Sequence, residues 1–443
     1  MGRALHTDLY ELNMAASYLR RGMTDPATFS LFVRHLPPRW GFLVACGLRS
    51  CLEYLEELAF TEEDLAYLAA EQGYDEEALE GLRRLRFTGD VWAVPEGRVV
   101  YAGEPLLEVT APLPEAQLVE TFLLNQITYQ TAIASKAARC TLVAGRAALV
   151  DFSMRRVHGT EAAIAVARAS AIAGFSATSN VEAARTLGIP ASGTMAHSYV
   201  EAFDTEMAAF RAFAEDHPDR VILLVDTYDT DAGVEKAIEV GRELAARSHR
   251  LVGIRLDSGD LGELARRARE ALDAAGMEDV QILASGGLDE HVIAGLTAAG
   301  APIDAFGVGT KMGVSADAPY LDTVYKLVAY GGRPVAKLST GKATLPWPKQ
   351  VWRLPDMAGD VIAVRDEAGP PGAEPLLRRA MGDGRTLLTE GLEEPRRRFA
   401  AELEALPEAL RSLDGAPYPV DRSERLQAAD RELRETIAAR ELR

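Results

Sequence analysis

The chain has 443 residues, 48% of them hydrophobic and 26% charged, with a formal net charge of −18 at neutral pH. That length allows two or three domains, the balance is that of an ordinary globular enzyme, and so anionic a surface argues against nonspecific nucleic-acid binding without excluding an anionic substrate at a locally positive site. Cys46, Cys51 and Cys140 form no CxxC pair and no disulfide framework; with no signal-peptide core, myristoylation pattern or apolar run of membrane length, they predict a cytoplasmic protein that binds neither membrane nor nucleic acid.

Thr7-Asp8 reads as the N-cap of a helix whose apolar face carries Leu9, Tyr10, Leu12, Met14 and Ala15. Residues 27–36 alternate as a strand that stops at Pro37-Pro38. Residues 41–58 place Leu43, Cys46, Gly47, Leu48, Cys51, Leu52 and Leu55 on one helical stripe. Two short helices broken at Gly73 fill 62–86. The period then changes to short strands at 91–94, 99–101 and 106–109, separated by Pro95-Glu96-Gly97 and Gly103-Glu104-Pro105. Pro112 and Pro114 mark a boundary, so 1–115 reads as a small α+β domain. A long helical pattern over 115–145 is expected to break near Gln130.

From there the rhythm is strand, loop, helix. Strands are predicted at 147–152, 175–179, 191–195, 221–225, 251–256, 281–284 and 305–308, with alanine-rich helices such as 161–173, 231–247, 260–275 and 289–299 between them. Six or seven βα units without a Rossmann glycine fingerprint favour a barrel over an open sheet. After Lys311 the rhythm ends. Residues 324–330 and 333–338 look like a hairpin turning at Gly331-Gly332, further strands and a Pro/Gly-rich loop (369–373) follow to 390, and 391–443 reads as a charged, helical, solvated tail.

Chemistry in such a barrel belongs at the C-terminal ends of the strands. Those ends read Asp151-Phe152-Ser153-Met154-Arg155-Arg156, Asp226-Thr227-Tyr228-Asp229, Arg255-Leu256-Asp257-Ser258-Gly259-Asp260, Ser285-Gly286-Gly287 and Gly307-Val308-Gly309-Thr310-Lys311. The last two suit a phosphate, because glycines let backbone N–H groups approach an anion; tight turns are the alternative. Asp226, Asp229, Asp257 and Asp260 suit Mg²⁺ or sugar hydroxyls, against an alternative of helix N-caps, Asp260 above all. Arg155, Arg156 and Arg255 offer forked donors for carboxylate or phosphate, or a salt-bridge network. The stretch Ala191-Ser192-Gly193-Thr194-Met195-Ala196-His197-Ser198 ends in a histidine that is either a helix-start residue or a reactive one. Acids, arginines and a phosphate nest at one mouth point to transfer chemistry on a phosphorylated sugar.

Through most of 5–352 the chain resembles the nicotinate phosphoribosyltransferases. The resemblance is carried by Thr7-Asp8-Leu9-Tyr10-Glu11-Leu12, Ala134-Ser135-Lys136-Ala137-Ala138-Arg139, the 151–156 motif, Gly193-Thr194-Met195-Ala196-His197-Ser198, the 255–260 motif and Gly307-Val308-Gly309-Thr310. It implies a type II phosphoribosyltransferase fold: an irregular α/β barrel, here 116–324, and a second α/β domain built from both chain ends, with 325–390 completing 1–115. The implied reaction joins nicotinate to phosphoribosyl pyrophosphate, giving nicotinate mononucleotide and pyrophosphate in NAD salvage. ATP is the implied co-substrate, consumed through a phosphohistidine at His197, and Mg²⁺ the implied metal, with Asp226 and Asp229 as its candidate ligands. A homodimer or larger assembly with shared sites is implied as well. Tyr10 then matches the tyrosine over a neighbouring subunit's nicotinate, Phe152 the aromatic on the ring's other face, Thr194 and Arg255 nicotinate contacts, and Thr310 a phosphoribosyl contact. Asp257 joins His197 and Arg255 as the catalytic set, and Arg155, Ser258, Gly259, Asp260, Gly286, Gly287, Gly307 and Gly309 complete the substrate site.

The chain departs from the family at Ser153, Val157-His158 and Leu345-Pro346-Trp347. Nicotinamide-type enzymes place an acid after the second strand to accept the amide N–H₂; here the loop reads Thr178-Ser179-Asn180, with no acid before Glu182, which favours a carboxylate substrate. A quinolinate-type transferase needs extra cations for a second carboxylate. The non-enzymatic alternative, a scaffold, is opposed by the intact Arg255, Asp257 and His197.

Overall fold

The computed structural model describes residues 3–338 and 344–441. It divides into two compact units, one formed by residues up to Ser135 together with those from Tyr320 onward, the other by Lys136–Pro319. The division falls within the helix Glu120–Val143 rather than near 115, and that helix breaks from its predecessor, Leu113–Leu118, at Val119 rather than at Gln130.

The two-ended unit is built on a seven-stranded antiparallel sheet. Pro26–Val33 lies between Thr323–Tyr330 and Pro105–Pro112, so strands some three hundred residues apart in the chain are direct neighbours. Thr323–Tyr330 turns into Arg333–Pro334 as the hairpin predicted at Gly331-Gly332. The 41–58 stripe is helical only from Leu48; Leu43–Val44 is extended and pairs with Val99–Val100. A stripe buried on every side fits a strand as well as a helix, and here pairing decided. The tail is not merely solvated. Val420–Arg422 runs parallel to Asp360–Val364, and Phe399, Leu410 and Leu426 are buried. Glu402 accepts from Arg353 at 2.8 Å and from the Val99 N–H at 3.0 Å. The tail's last two residues, 442–443, lie outside the described residues.

The second unit holds six parallel strands in the order Ala177–Thr178, Ala148–Asp151, Ala305–Val308, Gln281–Ser285, Leu251–Leu256 and Val221–Leu224. They are short apolar runs because both faces are covered. Helices return the chain each time, and an Asn or Asp side chain caps four of them: Asn180 to Ala183, Asp229 to Ala232, Asp260 to Glu263 and Asp289 to Val292. The predicted strand 191–195 reduces to one bridge, Ala191 to Thr178. Pro190 and Gly193 flank a small, largely exposed segment with little apolar area to hold a longer ladder. The result is a curled parallel half-barrel whose carboxyl-terminal strand ends converge.

Candidate active site

Arg255 stands near the end of its strand with its side chain only 12% exposed. Its Nε donates to Ser285 Oγ at 2.7 Å and its Nη2 to Asp257 Oδ1 at 2.6 Å. Its Nη1 makes only long bonds, 3.3 Å to Thr194 Oγ1 and 3.4 Å to the Met195 carbonyl. The guanidinium lies over the Phe152 ring, 5.3 Å from its centroid. Parallel pairing of the 251–256, 281–285 and 305–308 strands, and of the last with 148–151, brings these residues together from separate loops.

Asp257 is the hub. Ser285 Oγ donates to its Oδ1 at 2.5 Å, and its Oδ2 stands 3.8 Å from His197 Nε2. Burial opposes its ionisation, but the hydrogen bonds from Ser285 and Arg255 and the nearby positive charge outweigh it and hold the carboxyl below its usual range. His197 opens the helix His197–Glu201, is 39% exposed at the side chain, and has Nδ1 at 3.1 Å from Thr227 Oγ1. With Nδ1 tied to a hydroxyl, Nε2 is the nitrogen that faces the mouth's carboxylate.

Asp226 shapes the next loop. Its Oδ2 accepts from the Asp257 N–H at 2.8 Å and from Ser258 Oγ at 2.7 Å, while Oδ1 is buried without a hydrogen-bond partner. Asp229 and Asp260, expected at the metal and substrate, spend Oδ1 on helix caps, the alternative weighed for the acidic set. Asp151, 1% exposed, accepts from the Ser153 N–H at 2.9 Å and from Thr178 Oγ1 at 2.7 Å, which holds the loop carrying Phe152. Burial raises its pKa, and bonds from Ser153 and Thr178 oppose the rise.

The glycines divide by role. Gly286 and Gly287 are exposed at φ +89° and +65°, and a Cβ on Gly286 would lie 2.0 Å from the Asp257 carbonyl oxygen. Gly307 is buried, and a Cβ there would lie 2.6 Å from the Phe152 ring; one on Gly309 would lie 3.0 Å from the Phe152 carbonyl. The glycines of this strand end make room for Phe152, not only for an anion. Thr310 is exposed at the start of a four-residue helix, and Ser258 and Gly259 are exposed in the loop after Arg255. Arg155 and Arg156 lie exposed on the 3-10 turn Met154–Arg156. Tyr10 belongs to the other unit, on the helix Leu9–Arg20, and is 48% exposed.

Ser285, Thr227 and Asp151 carry much of this geometry, and sequence pattern alone assigns none of them a role in the site. A small hydroxyl at a strand end gives no pattern of its own; only the partner strand identifies its role. The loop after the second strand offers no free carboxylate: Thr178 donates to Asp151, Asn180 caps a helix, and Glu182 pairs with Arg185 at 2.5 Å on the surface.

Comparison with known proteins agrees with the geometry. The model of the nicotinate phosphoribosyltransferase N-terminal domain matches residues 5–128, and that of the nicotinate phosphoribosyltransferase family matches 147–345. A nicotinate phosphoribosyltransferase of Mycobacterium tuberculosis is 49% identical over 96% of this chain and 92% of its own. The Bacillus subtilis enzyme of that name is 48% identical over 82% and 76%. The crystal structure of human nicotinic acid phosphoribosyltransferase superposes with a TM-score of 0.87 at 31% identity, covering 96% of this chain and 99% of that one. A nicotinate-nucleotide pyrophosphorylase of Pyrococcus furiosus superposes with a TM-score of 0.75 at 25% identity, covering 91% and 95%. With matches this extensive at both ends and a mouth built around Arg255, Asp257 and His197, the chain belongs to the nicotinate phosphoribosyltransferase family.

Proposed function

We propose that this chain makes nicotinate mononucleotide and pyrophosphate from nicotinate and phosphoribosyl pyrophosphate in NAD salvage, with ATP hydrolysis coupled through His197. The observation that carries the substrate is Arg255. Two of its nitrogens are committed to Ser285 and Asp257, whereas Nη1 is held only by long bonds that a carboxylate would displace. Phe152 beneath the guanidinium gives the pyridine ring a face to lie on. A second substrate carboxylate, as in quinolinate, would need another buried cation there, and Arg155 and Arg156 are exposed on their turn.

In the transfer step the bond from ribose C1 to pyrophosphate breaks with its electron pair leaving on oxygen, and the ring nitrogen forms the new bond to C1. An oxocarbenium-like centre is favoured by nearby carboxylate charge, which Asp257 supplies because its environment keeps it ionised. Gly287, exposed with nothing within 4 Å of where a Cβ would stand, and the exposed Thr310 leave room for phosphate oxygens. Asp226, whose Oδ1 is buried without a hydrogen-bond partner, and Asp257 would hold magnesium, since such an ion takes one or two carboxylates and completes its shell with phosphates and water; bound there it would offset charge on pyrophosphate. Asp229 remains a weaker candidate because its Oδ1 caps a helix.

For the ATP-coupled step, His197 Nε2 attacks the γ-phosphorus, the bond to the β-phosphate oxygen breaks, ADP leaves, and water later cleaves the phosphoramidate. The support is orientation: Nδ1 is tied to Thr227, and Nε2 is directed to the mouth. We further propose a dimer in which Tyr10 of one subunit covers the nicotinate of the other, and a cytoplasmic setting, in keeping with cysteines that lie buried in the fold. No described helix is long and apolar enough to cross a membrane.

A product assay with nicotinate, nicotinamide and quinolinate, with and without ATP, tests the reading. Nicotinate should be the substrate turned over and ATP should stimulate it; equal or greater turnover of another acid or amide overturns the assignment. Incubation with γ-labelled ATP should leave an acid-labile, alkali-stable label that His197→Asn removes. The variant should lose ATPase activity, keep slow transfer, and melt within a few degrees of the parent, a change of about 0.5 kcal/mol for a part-exposed side chain. A label that persists in the variant moves the acceptor elsewhere, with His158 the first to examine.

A further inference from the structure

We infer that Ser285 is a positioning residue for substrate selection, its hydroxyl committing one edge of the Arg255 guanidinium to the protein so that the Nη1 end alone reads the substrate's carboxylate. This rests on the proposed nicotinate reaction.

The three groups close a ring of hydrogen bonds. Arg255 Nε donates to Ser285 Oγ at 2.7 Å, Ser285 Oγ donates to Asp257 Oδ1 at 2.5 Å, and Arg255 Nη2 donates to the same Oδ1 at 2.6 Å. A hydroxyl carries one proton. Because the guanidinium has only donors, that proton goes to Asp257 and a lone pair faces Nε, so the direction of every bond is set.

Ser285 is well placed to act as a fixed post. It is 2% exposed and ends a strand paired on both sides, with Ser285 opposite Gly307 and Ala284 opposite Leu256. The partners at Nη1 are the reverse. Thr194 and Met195 lie in the segment joined to the sheet by the single Ala191 bridge, and their bonds to Arg255 are 3.3 and 3.4 Å. One edge of the fork is therefore anchored to the rigid sheet and the other faces the part that can yield to a ligand. With the hydroxyl removed, Asp257 holds Arg255 through Nη2 alone. The guanidinium can then swing about that contact, and a bidentate site depends on angle as much as on charge.

Steady-state kinetics of Ser285→Ala, Arg255→Lys and the double variant test this. The Ala variant should raise the nicotinate KM roughly tenfold, the size expected from losing one charge-assisted hydrogen bond. It should leave the phosphoribosyl pyrophosphate KM within about twofold and narrow the preference for nicotinate over nicotinamide. Because Ser285 is taken to act through Arg255, the double variant should be hardly worse than Arg255→Lys alone. An unchanged nicotinate KM, a parallel rise in both KM values, or additive losses in the double variant would each overturn the inference. Should Ser285→Ala lower the melting temperature by more than a few degrees, the near-isosteric Ser285→Cys carries the same comparison. A parent enzyme that does not use nicotinate overturns the functional reading and this inference together, whereas an active parent with an indifferent Ala variant overturns this inference alone.

Discussion

Arg255 reads geometry as well as charge. Its planar fork reaches three loops at once, which a lysine ammonium on a flexible stem cannot do. Arg255→Lys should raise the nicotinate KM by roughly tenfold or more, and initial-rate measurements that find it unchanged would remove Arg255 from the pocket. A second residue with a readable proton is Glu11. Thr7 and Thr121 donate to its carboxylate oxygens, Thr121 Oγ1 at 2.8 Å, and the Thr7 hydroxyl also stands 3.0 Å from the Leu118 carbonyl. Burial raises the Glu11 pKa from 4.5 to about 7, against bonds from Thr7 and Thr121 that favour the ionised form. A carboxyl with a raised folded pKa binds its proton more tightly when folded. Its stabilisation is complete below the unfolded pKa and is lost as pH rises through the folded one. Between about pH 4.5 and 7 the parent should therefore lose stability that Glu11→Gln keeps. The melting-temperature advantage of the variant should be small at low pH and grow toward pH 8; an advantage independent of pH would show Glu11 ionised throughout.

At the scale of elements, the turn after Gln281–Ser285 decides whether the mouth can form. Gly286 and Gly287 both have positive φ, but only Gly286 abuts the chain: its Cβ would lie 2.0 Å from the Asp257 carbonyl oxygen, whereas Gly287 has nothing within 4 Å. Alanine at 287 adds only backbone strain, about 1 kcal/mol. Alanine at 286 must also push the two loops apart and so displace Asp257 and Ser285. Gly286→Ala should raise the phosphoribosyl pyrophosphate KM by at least an order of magnitude more than Gly287→Ala; equal effects in the two variants would mean that the turn, not its approach to Asp257, matters. The caps belong to the same scale. Four helices of the second unit start at an Asn or Asp cap, three of them Asp, which is why an acidic strand end is a poor guide to a metal ligand unless the cap is excluded first.

For the whole molecule, assembly is the open proposition. Tyr10 is half exposed in the two-ended unit, whereas the residues around Arg255 all come from the other. If each site borrows Tyr10 from a second copy, mixing Tyr10→Ala subunits with His197→Ala subunits should restore part of the activity lost in each alone, since one site of a heterodimer would then be intact. No restoration in heterodimers confirmed by mass would mean that the site is complete within one chain. The tail acts at this scale too. Arg353 is buried and bound to Asp360, Glu402 and the Val99 carbonyl, so the last fifty residues are anchored to strands near both ends of the chain.

Local patterns in the sequence determined most of the βα strands and their helices, because runs such as Val221–Leu224 must be buried on both faces and alanine-rich segments with Asx caps have one favourable conformation. They also marked Arg255, Asp257 and His197 as candidates, since the loops that follow the strands of a parallel sheet are where such a mouth is built. Tertiary structure decided what local pattern leaves degenerate. Leu43–Val44 became a strand because Val99–Val100 was there to pair with it, and 191–195 kept a single bridge because little held it further. Asp229 and Asp260 became caps, and Gly307 became the space for Phe152. Ser285 acquired its role only from Arg255 and Asp257 on the neighbouring strand, because a hydrogen bond depends on distance and angle in space, and spacing along the chain does not specify either.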